Sequence, residues 1–367
     1  MLEIAEITFL VILSGYFIQS VIFVIGAKKV FPRLEDENLP TATVIVAARN
    51  EEENISRCLD SLGRLEYPDG KLEVILVDDR STDRTGNIID DFISTRINFK
   101  KIIPDEPKGK MVGKVNALAT AIREASGEII LTTDADCEVK PKWVKTIASH
   151  YTADVGMVDS YTSQVTENSF GGMQAIDFIY LLIVAGGTIN LGIPISCIGN
   201  NMSFRKKAYE EIGGYENLPF SVTEDFTLLR AIYKLKKYKF LFPLDKEALV
   251  TSIPCTSFKQ LYRQKKRWSV GGLGVPLRGF MILFWGYLTH IGIILTPLFF
   301  SPVWLYLIFF KIIIDFFVLY PIHQKLGISK NLKYFAVYQV YYIIYVFSLP
   351  FIVLASRKVI WKGREYK

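Results

Sequence analysis

The chain has 367 residues, half of them apolar, and 43 Lys and Arg residues against 37 Asp and Glu residues give it a net charge of +6. This apolar content at this length indicates a membrane protein rather than one soluble domain. The basic residues cluster beside apolar segments, so we expect lipid headgroups and substrate phosphates as their partners, and no nucleic acid.

The first predicted element is an uncharged stretch at residues 7–27, long enough to cross a hydrocarbon core of about 30 Å as a helix. A cleaved signal peptide is the alternative, but its basic residues would precede the apolar run, whereas here Lys28 and Lys29 follow it. The positive-inside rule places the N-terminus outside and the chain after Lys28 in the cytoplasm. We therefore predict an integral protein of the cell or inner membrane, with residues 1–33 as its N-terminal transmembrane helix.

From residue 42 onward, short apolar runs alternate with amphipathic stretches. The predicted strands are residues 42–48, 72–77 and 128–132, and the predicted helices are residues 51–65, 87–94 and 116–125. This alternation is typical of parallel strands joined by crossover helices, and it predicts an α/β cytoplasmic domain over residues 34–257. Carboxylates follow directly after these strands, at the edge where open α/β sheets bind ligands.

Residues 170–198 are unusually apolar and contain two adjacent glycines. A second membrane span is one interpretation, but Asp177 interrupts the apolar run. A span here would also place Asp225 on the opposite side of the membrane from Asp136. We therefore expect this segment to be interfacial or buried.

The last third of the chain is again membrane-like. We predict an interfacial amphipathic helix at residues 258–278 and a C-terminal transmembrane region at residues 279–367, with segments at 279–298, 302–321 and 334–356. Three full crossings would leave the basic tail outside, against the positive-inside rule. We expect the last segment not to cross, because Pro350 would break it into a re-entrant piece. Lys311 and Asp315, one helical turn apart, are expected to pair.

Four cysteines are widely spaced, with no C-x-x-C pair and no histidine at ligand spacing, so neither a zinc site nor a disulfide framework is indicated. They are expected to be small buried hydrophobic residues.

Four short polar blocks carry the functional signal. They are Val77-Asp78-Asp79, Thr133-Asp134-Ala135-Asp136, Thr223-Glu224-Asp225 and Gln264-Lys265-Lys266-Arg267-Trp268. In order and spacing they resemble the motifs of the membrane-bound family 2 glycosyltransferases, which include cellulose, hyaluronan and poly-N-acetylglucosamine synthases and ceramide glucosyltransferase. The resemblance covers residues 42–268. It implies a GT-A (Rossmann-like) fold and inverting hexosyl transfer from a UDP-sugar, with Mg²⁺ or Mn²⁺ as cofactor.

Asp134 and Asp136 are central to this interpretation. Two carboxylates separated by one residue after a strand can face a common cation, and Mg²⁺ or Mn²⁺ takes oxygen ligands from carboxylates and phosphates together. Such an ion would stabilise the departing diphosphate. A plain acidic turn is the alternative. By the resemblance, Asp136 is the direct metal ligand, and Asp134 contacts the ribose or supports the metal.

The resemblance also implies a set of nucleotide contacts. They come from the turn after the first strand, with Ala48, Asn50 and Glu51 or Glu52 near the uracil or ribose, from Asp79 at the uracil, and from Lys114 near the nucleotide. Simpler readings exist for each part. The acidic turn could be the solvated start of a helix, one of Ser81, Thr82 and Asp83 could cap the next helix, and Lys108 and Lys110 fit a surface loop.

On the acceptor side the resemblance assigns catalysis to Glu224 and Asp225, with Asp225 as the general base, while Thr223 is expected to cap the following helix. Residues 199–205 and 213–215 resemble the stretch that lines the acceptor site. Gln264, Arg267 and Trp268 end a basic helix, where Arg267 would contact the diphosphate and Trp268 the acceptor sugar or lipid head. Such residues also occur in any interfacial helix, and we expect both roles to hold.

The number of spans bears on the type of transferase. Three or four helices offer little room for a polymer channel unless the protein oligomerises or has a partner subunit, so we expect a single transfer to a membrane lipid or lipid-linked glycan. A processive polysaccharide synthase is the alternative. A catalytically silent binding subunit is a further one, against which the intact acidic blocks argue.

Overall fold

The computed structural model describes residues 2–106, 111–275, 277–361 and 364–366. The chain divides into two compact units. The α/β unit comprises Lys29–Ser163 and Gly192–Ile253, and the helical unit comprises Met1–Lys28, Gln164–Leu191 and Pro254–Lys367. Two parts of the predicted cytoplasmic range 34–257, the segment Gln164–Leu191 and residues 254–257, thus belong to the helical unit.

Among the described residues, seven strands form the main sheet and four form two small ribbons. The strands are β1 (Ala42–Ala48), β2 (Leu72–Asp78), β3 (Phe99–Ile102), β4 (Ile129–Asp134), β5 (Val155–Asp159), β6 (Thr162–Gln164), β7 (Met202–Arg205), β8 (Lys239–Leu241), β9 (Val250–Ser252), β10 (Val359–Trp361) and β11 (Arg364–Tyr366). The main sheet has the order β3-β2-β1-β4-β7-β5-β8, while β6 pairs with β9 and β10 with β11.

Parallel pairing of β1 with β2 and with β4 sets the position of the strand ends. Ala48 lies opposite Asp78 and Ala47 lies opposite Asp134. Because these strands run in the same direction, their carboxyl ends and the acidic residues there meet at one edge of the sheet. The α/β prediction is confirmed, but the sheet is mixed, since β7 runs antiparallel to both β4 and β5.

The helices of the α/β unit cover this sheet. They are α2 (Ile55–Leu62), α3 (Thr85–Ile93), α4 (Lys114–Glu124), α5 (Trp143–Ala148), α7 (Lys206–Glu211) and α8 (Glu224–Lys234). In α2 the buried residues Ile55, Cys58, Leu59 and Leu62 recur at the spacing of one helix face, so burial of that face holds the helix on the core.

The helical unit contains α1 (Leu2–Ala27), α6 (Ser169–Asn190), α9 (Phe258–Gly272), α10 (Leu277–Ile294), α11 (Pro302–Leu326) and α12 (Phe335–Ala355). Within the described residues, four helical segments are long and apolar enough to cross a membrane: Leu2–Ala27, Ser169–Asn190, Pro302–Leu326 and Ser329–Ala355. The expected break at Pro350 is wrong, because Pro350 lies inside the continuous α12. The shorter apolar helix is instead at Gly279–Ile294.

The burial expected for residues 170–198 is confirmed for α6. Its most apolar window is 89% buried, and it packs closely on α1. A Cβ on Gly26 would lie 2.3 Å from the carbonyl oxygen of Gly187, so glycine is required where the two backbones touch. Because the flanking strands β5 and β7 pair in one sheet, the chain leaves the α/β unit for α6 and then returns to it.

The predicted pairing of Lys311 with Asp315 is also confirmed. Their side chains are fully buried in α11 with 2.7 Å between Lys311 Nζ and Asp315 Oδ2. Gln339 of α12 joins both, accepting from Lys311 Nζ at 2.9 Å and donating to Asp315 Oδ2 at 2.8 Å. Tyr16 of α1 donates to Asp315 Oδ1 at 2.6 Å, so the pair links three helices.

Candidate active site

The loop after β1 is bonded to the loop after β2. Asn50 has a left-handed backbone with φ 53°, which asparagine tolerates. Its side-chain oxygen accepts from the amide of Thr82 at 2.8 Å, and its own amide donates to Ser81 Oγ at 3.1 Å. Glu52 accepts from the amide of Arg84 at 3.1 Å. Asn50 and Glu52 therefore shape this corner through contacts within the protein.

Asp79 is held at the same corner. Its amide donates to the carbonyl oxygen of Ala48 at 2.8 Å, its carboxylate lies 3.8 Å from the Arg49 guanidinium, and the residue is 8% exposed. The capping alternative applies to Asp83, whose carboxylate accepts from the amide of Thr85 at 3.0 Å at the start of α3. The structural bond to α3 thus comes from Asp83, and the predicted nucleotide contact Asp79 is a different residue of the same loop.

The turn after β4 presents the predicted metal carboxylates. The carbonyl oxygen of Asp134 accepts from the amide of Cys137 at 3.0 Å, and the carbonyl oxygen of Asp136 accepts from Arg57 at 2.7 Å. These bonds fix the backbone of the turn and leave both aspartate side chains half-buried. Cys137 Sγ donates to Asp136 Oδ1 at 3.4 Å.

Lys114, the first residue of α4, connects two of the motif blocks. Its Nζ lies 2.5 Å from Asp134 Oδ1 and 3.4 Å from Glu224 Oε1. Burial alone would lower the pKa of Lys114, but the charges of Asp134, Glu224 and Asp225 raise it above its usual value. The lysine is therefore a cation at neutral pH, and it brings the D-x-D and T-E-D blocks to one place. Lys108 and Lys110 lie outside the described residues.

Asp225 lies in the first turn of α8, and its Oδ1 accepts from the amide of Phe226 at 2.8 Å. Gly199 approaches it so closely that a Cβ there would lie 3.1 Å from Asp225 Oδ2. Thr223 occupies the N-cap position, but the predicted side-chain cap is wrong, because its hydroxyl contacts Ser221 Oγ at 3.2 Å instead. The carboxylate of Asp225 thus faces the 199–205 segment.

Within the 199–205 segment, the side chain of Asn201 forms structural hydrogen bonds. Asn201 accepts from Trp143 Nε1 at 2.9 Å and donates to the carbonyl oxygens of Tyr161 at 2.7 Å and Ala248 at 2.9 Å. Gly199, rather than Asn201, is the member of the segment that meets the predicted base.

Asp159 lies near the predicted base Asp225 and was not singled out in the sequence. It ends β5 and is 1% exposed. Burial and then the charge of nearby Asp225 raise the pKa of its carboxyl well above the usual value. The signal that could have found it is its place in the chain, since it ends a strand as Asp78 and Asp134 do.

The donor set at the D-x-D turn suits a hard cation. Burial, followed by the charges of Asp136 and Asp134, raises the pKa of the Cys58 and Cys137 thiols, so they remain protonated at neutral pH. In the described part of the chain no group of three or more His, Cys, Asp or Glu residues could hold a metal ion alone. Carboxylate oxygens completed by substrate phosphates are the usual ligands of Mg²⁺.

The Q-x-x-R-W block lies on α9 in the helical unit. The Trp268 ring stacks on Phe178 of α6, with 5.5 Å between centroids and 10° between planes. Lys265 Nζ lies 4.6 Å from the Trp268 ring centroid and pairs with Asp177. Gln264 and Arg267 are half-buried on the same helix. One face of Trp268 is thus covered by α6.

Carboxylates from strand ends and helix starts, gathered at one edge of a Rossmann-like mixed sheet, define a GT-A-type glycosyltransferase domain. The model described as Glycosyl transferase family 2 matches residues 43–213, and the model described as Glycosyl transferase family group 2 matches residues 129–355. The chain belongs to the family 2 glycosyltransferases.

Several bacterial proteins are similar to this chain. The Bacillus subtilis (strain 168) protein named "Probable glycosyltransferase YdaM" is 28% identical over 66% of the chain and 57% of its own length. The Beta-monoglucosyldiacylglycerol synthase of Synechocystis is 26% identical over 64% of the chain and 48% of its own length. The Poly-beta-1,6-N-acetyl-D-glucosamine synthase of Staphylococcus epidermidis is 26% identical over 69% of the chain and 60% of its own length. The chain thus spans only part of the length of these relatives.

A solved structure shares the fold. The mannosyltransferase PcManGT of Pyrobaculum calidifontis, in complex with GDP-Man and Mn²⁺, is 20% identical with a TM-score of 0.57, covering 93% of this chain and 99% of its own. At this identity the likeness shows the GT-A-type fold alone.

Proposed function

We propose that this enzyme is an inverting, metal-dependent transferase that moves a hexosyl group from a UDP-sugar to a membrane lipid or lipid-linked glycan. One observation carries the proposal. Lys114 contacts both Asp134 of the D-x-D block and Glu224 of the T-E-D block, so residues 90 positions apart in the chain share one cation. Donor and acceptor chemistry would then take place around a single lysine.

The donor side would work through the strand-end residues. Asp136, with Asp134, would hold Mg²⁺ or Mn²⁺, and the ion when bound would stabilise negative charge on the leaving diphosphate. Asp79, fixed between Ala48 and Arg49, would accept a hydrogen bond from the uracil. Lys114 would exchange part of its contact with Asp134 for a phosphate oxygen, since an ammonium can serve several acceptors.

The acceptor side would work through Asp225. Its carboxylate would take the proton of the acceptor hydroxyl while that oxygen attacks the anomeric carbon from the face opposite the diphosphate, which inverts the configuration. Glu224, 8% exposed and paired with Lys114, would keep the lysine in place. Gln264, Arg267 and Trp268 would serve the diphosphate and the acceptor head group.

One observation favours a lipid acceptor. A relative that is 26% identical is named Beta-monoglucosyldiacylglycerol synthase. The long apolar segments Leu2–Ala27, Pro302–Leu326 and Ser329–Ala355 would anchor the enzyme in the cell membrane with its α/β unit in the cytoplasm.

A processive polysaccharide synthase is the second candidate. It is supported by the relative named Poly-beta-1,6-N-acetyl-D-glucosamine synthase, which has the same 26% identity. A polymer channel would then require further helices from a second copy or a partner subunit.

The deciding experiment uses the purified full-length protein in lipid vesicles with Mg²⁺ or Mn²⁺ and a panel of UDP- and GDP-sugars. Release of nucleoside diphosphate identifies the donor, and a radiolabelled sugar then reports the product. A labelled product that partitions into organic solvent supports the proposal. A water-soluble high-mass polymer would establish the second candidate, and no diphosphate release from any donor would refute both.

A further inference from the structure

Helix α9, which carries the Q-x-x-R-W block, has a charged residue on its buried face, and this residue forms an ion pair. In α9 the buried residues are Leu261 and Lys265, which lie one turn apart on one face. Lys265 is 5% exposed and forms an ion pair with the fully buried Asp177 of α6. A leucine or methionine would ordinarily occupy such a position, so the lysine calls for an explanation.

Neighbouring aromatic side chains enclose this pair. Lys265 Nζ lies 4.9 Å from the ring centroid of Tyr345 and 4.6 Å from that of Trp268. The hydroxyl of Tyr341 lies 3.5 Å from Asp177 Oδ2. Rings around a buried ammonium favour a defined position for it through their negative faces.

The pair has a geometric consequence for the motif. Phe178, next to Asp177 on α6, stacks on Trp268, so two adjacent residues of α6 hold two residues of α9 that are three positions apart. Each residue of an α-helix turns its side chain by about 100° relative to the last. Two fixed points on one face therefore set the rotation of α9 and the directions of Gln264 and Arg267.

The energetics of a buried ion pair favour a role in fixing the position of α9 over a role in stabilising the protein. A buried ion pair is often no more stabilising than apolar residues of similar size, because both charges lose their hydration, whereas removal of one partner is strongly destabilising. An apolar pair would let α9 rotate or slide with little change in burial. An ion pair loses most of its energy when displaced.

We propose that Lys265 and Asp177 are positioning residues that fix the rotation of α9 and thereby the direction of Arg267. This inference rests on the proposed function, in which Arg267 would serve the leaving diphosphate. Trp268 acts in the same arrangement by anchoring α9 through the ring face that Phe178 covers.

The test separates positioning from stability with paired substitutions. K265M and D177N each leave one buried charge and should lower both the Tm and kcat. The double variant K265M/D177L removes both charges and should recover most of the Tm, while kcat stays about 10- to 100-fold below wild type, the loss expected for a displacement of about 1 Å. The donor KM should change much less than kcat. K265R, which retains the ion pair, should keep most of the wild-type kcat.

The chain supplies a matched control in its other buried pair. Lys311 and Asp315 belong to one helix and set no rotation between α9 and α6. K311M/D315L should therefore keep the wild-type kcat although its Tm falls, because Gln339 and Tyr16 lose their acceptor. If K265M/D177L turns over like wild type while R267A does not, the positioning inference is overturned and the proposed function stands. If R267A turns over like wild type, the diphosphate role of Arg267 fails, and the inference fails with it.

Discussion

The two units use lysine–carboxylate pairs in opposite ways. In the α/β unit, Lys114 is shared by Asp134 and Glu224, and the side chains of these three residues are 16%, 37% and 10% exposed. In the helical unit, the side chains of Lys265 and Asp177 are 6% and 0% exposed. A pair that stays accessible and shares its cation can change partners when a substrate arrives. A sealed pair cannot, and its contribution is to fix geometry.

The largest effect is expected from removal of Asp136 on the accessible side. D136A should lower donor turnover by about 1000-fold or more, because the ion that it would hold contributes several kcal/mol of charge stabilisation. EDTA should do the same to the wild type, with recovery on addition of Mn²⁺. D154N is the control, since Asp154 pairs with the exposed Lys239 instead. Wild-type turnover by D136A would show that Asp136 holds no catalytic metal.

The second largest effect is expected from removal of the proposed general base, Asp225. D225N should lower kcat by about 100- to 10,000-fold, the usual contribution of a general base, with little change in donor KM. The amide can still accept a hydrogen bond from the amide of Phe226, so the start of α8 should persist and the Tm should stay near that of the wild type. A D225N enzyme with near-normal kcat would assign the base to another residue.

On the sealed side, the expected effect is on stability. K311M leaves Asp315 buried without its lysine, which should destabilise the protein by roughly 3 to 5 kcal/mol, read as a lower Tm in detergent. The double variant K311M/D315L should recover only part of this loss, because Gln339 and Tyr16 lose their acceptor. If both variants unfold at the wild-type temperature, the pair contributes nothing to holding α11 and α12 together.

The smallest expected effect concerns pH and Asp159. Because its pKa is raised in the folded state, its contribution to stability is fully present below the unfolded pKa of about 3.9 and is lost as pH rises through the folded pKa. D159N removes this loss, so the Tm of D159N minus that of wild type should increase between pH 5 and pH 8. E211Q should show a weak trend of the opposite sign and only below about pH 4.3, since hydrogen bonds from Lys237 and Tyr238 lower the pKa of Glu211 and its contribution to stability is lost as pH falls. A pH-independent difference for D159N would mean that Asp159 ionises normally.

Much of the accessible site could be predicted because it depends on local order. The carboxylates follow strand ends, and parallel strands bring their ends together whatever the loops do. The pairing of Lys311 with Asp315 was predictable for a similar reason, because four positions on a helix is one turn.

What escaped prediction depends on long-range contacts. Lys265 and Asp177 are 88 positions apart, and in the sequence Asp177 stood out only as an argument against a span. The antiparallel course of β7 leaves no mark in a four-residue strand. The Thr223 cap failed because Ser221 lies within reach of its hydroxyl, a local competition that residue type alone does not reveal.

The position of α6 between β5 and β7 has a consequence for biosynthesis. Strands β7 and β8 leave the ribosome only after the 22-residue apolar helix has been made. The sheet therefore stays incomplete while α6 packs against α1, because β7, which pairs with both β4 and β5, has not yet been made. A soluble fragment that ends before α6 would lack the strand that joins these edges, and one that runs through it would carry an apolar helix without its partner. Folding of each unit thus depends on folding of the other.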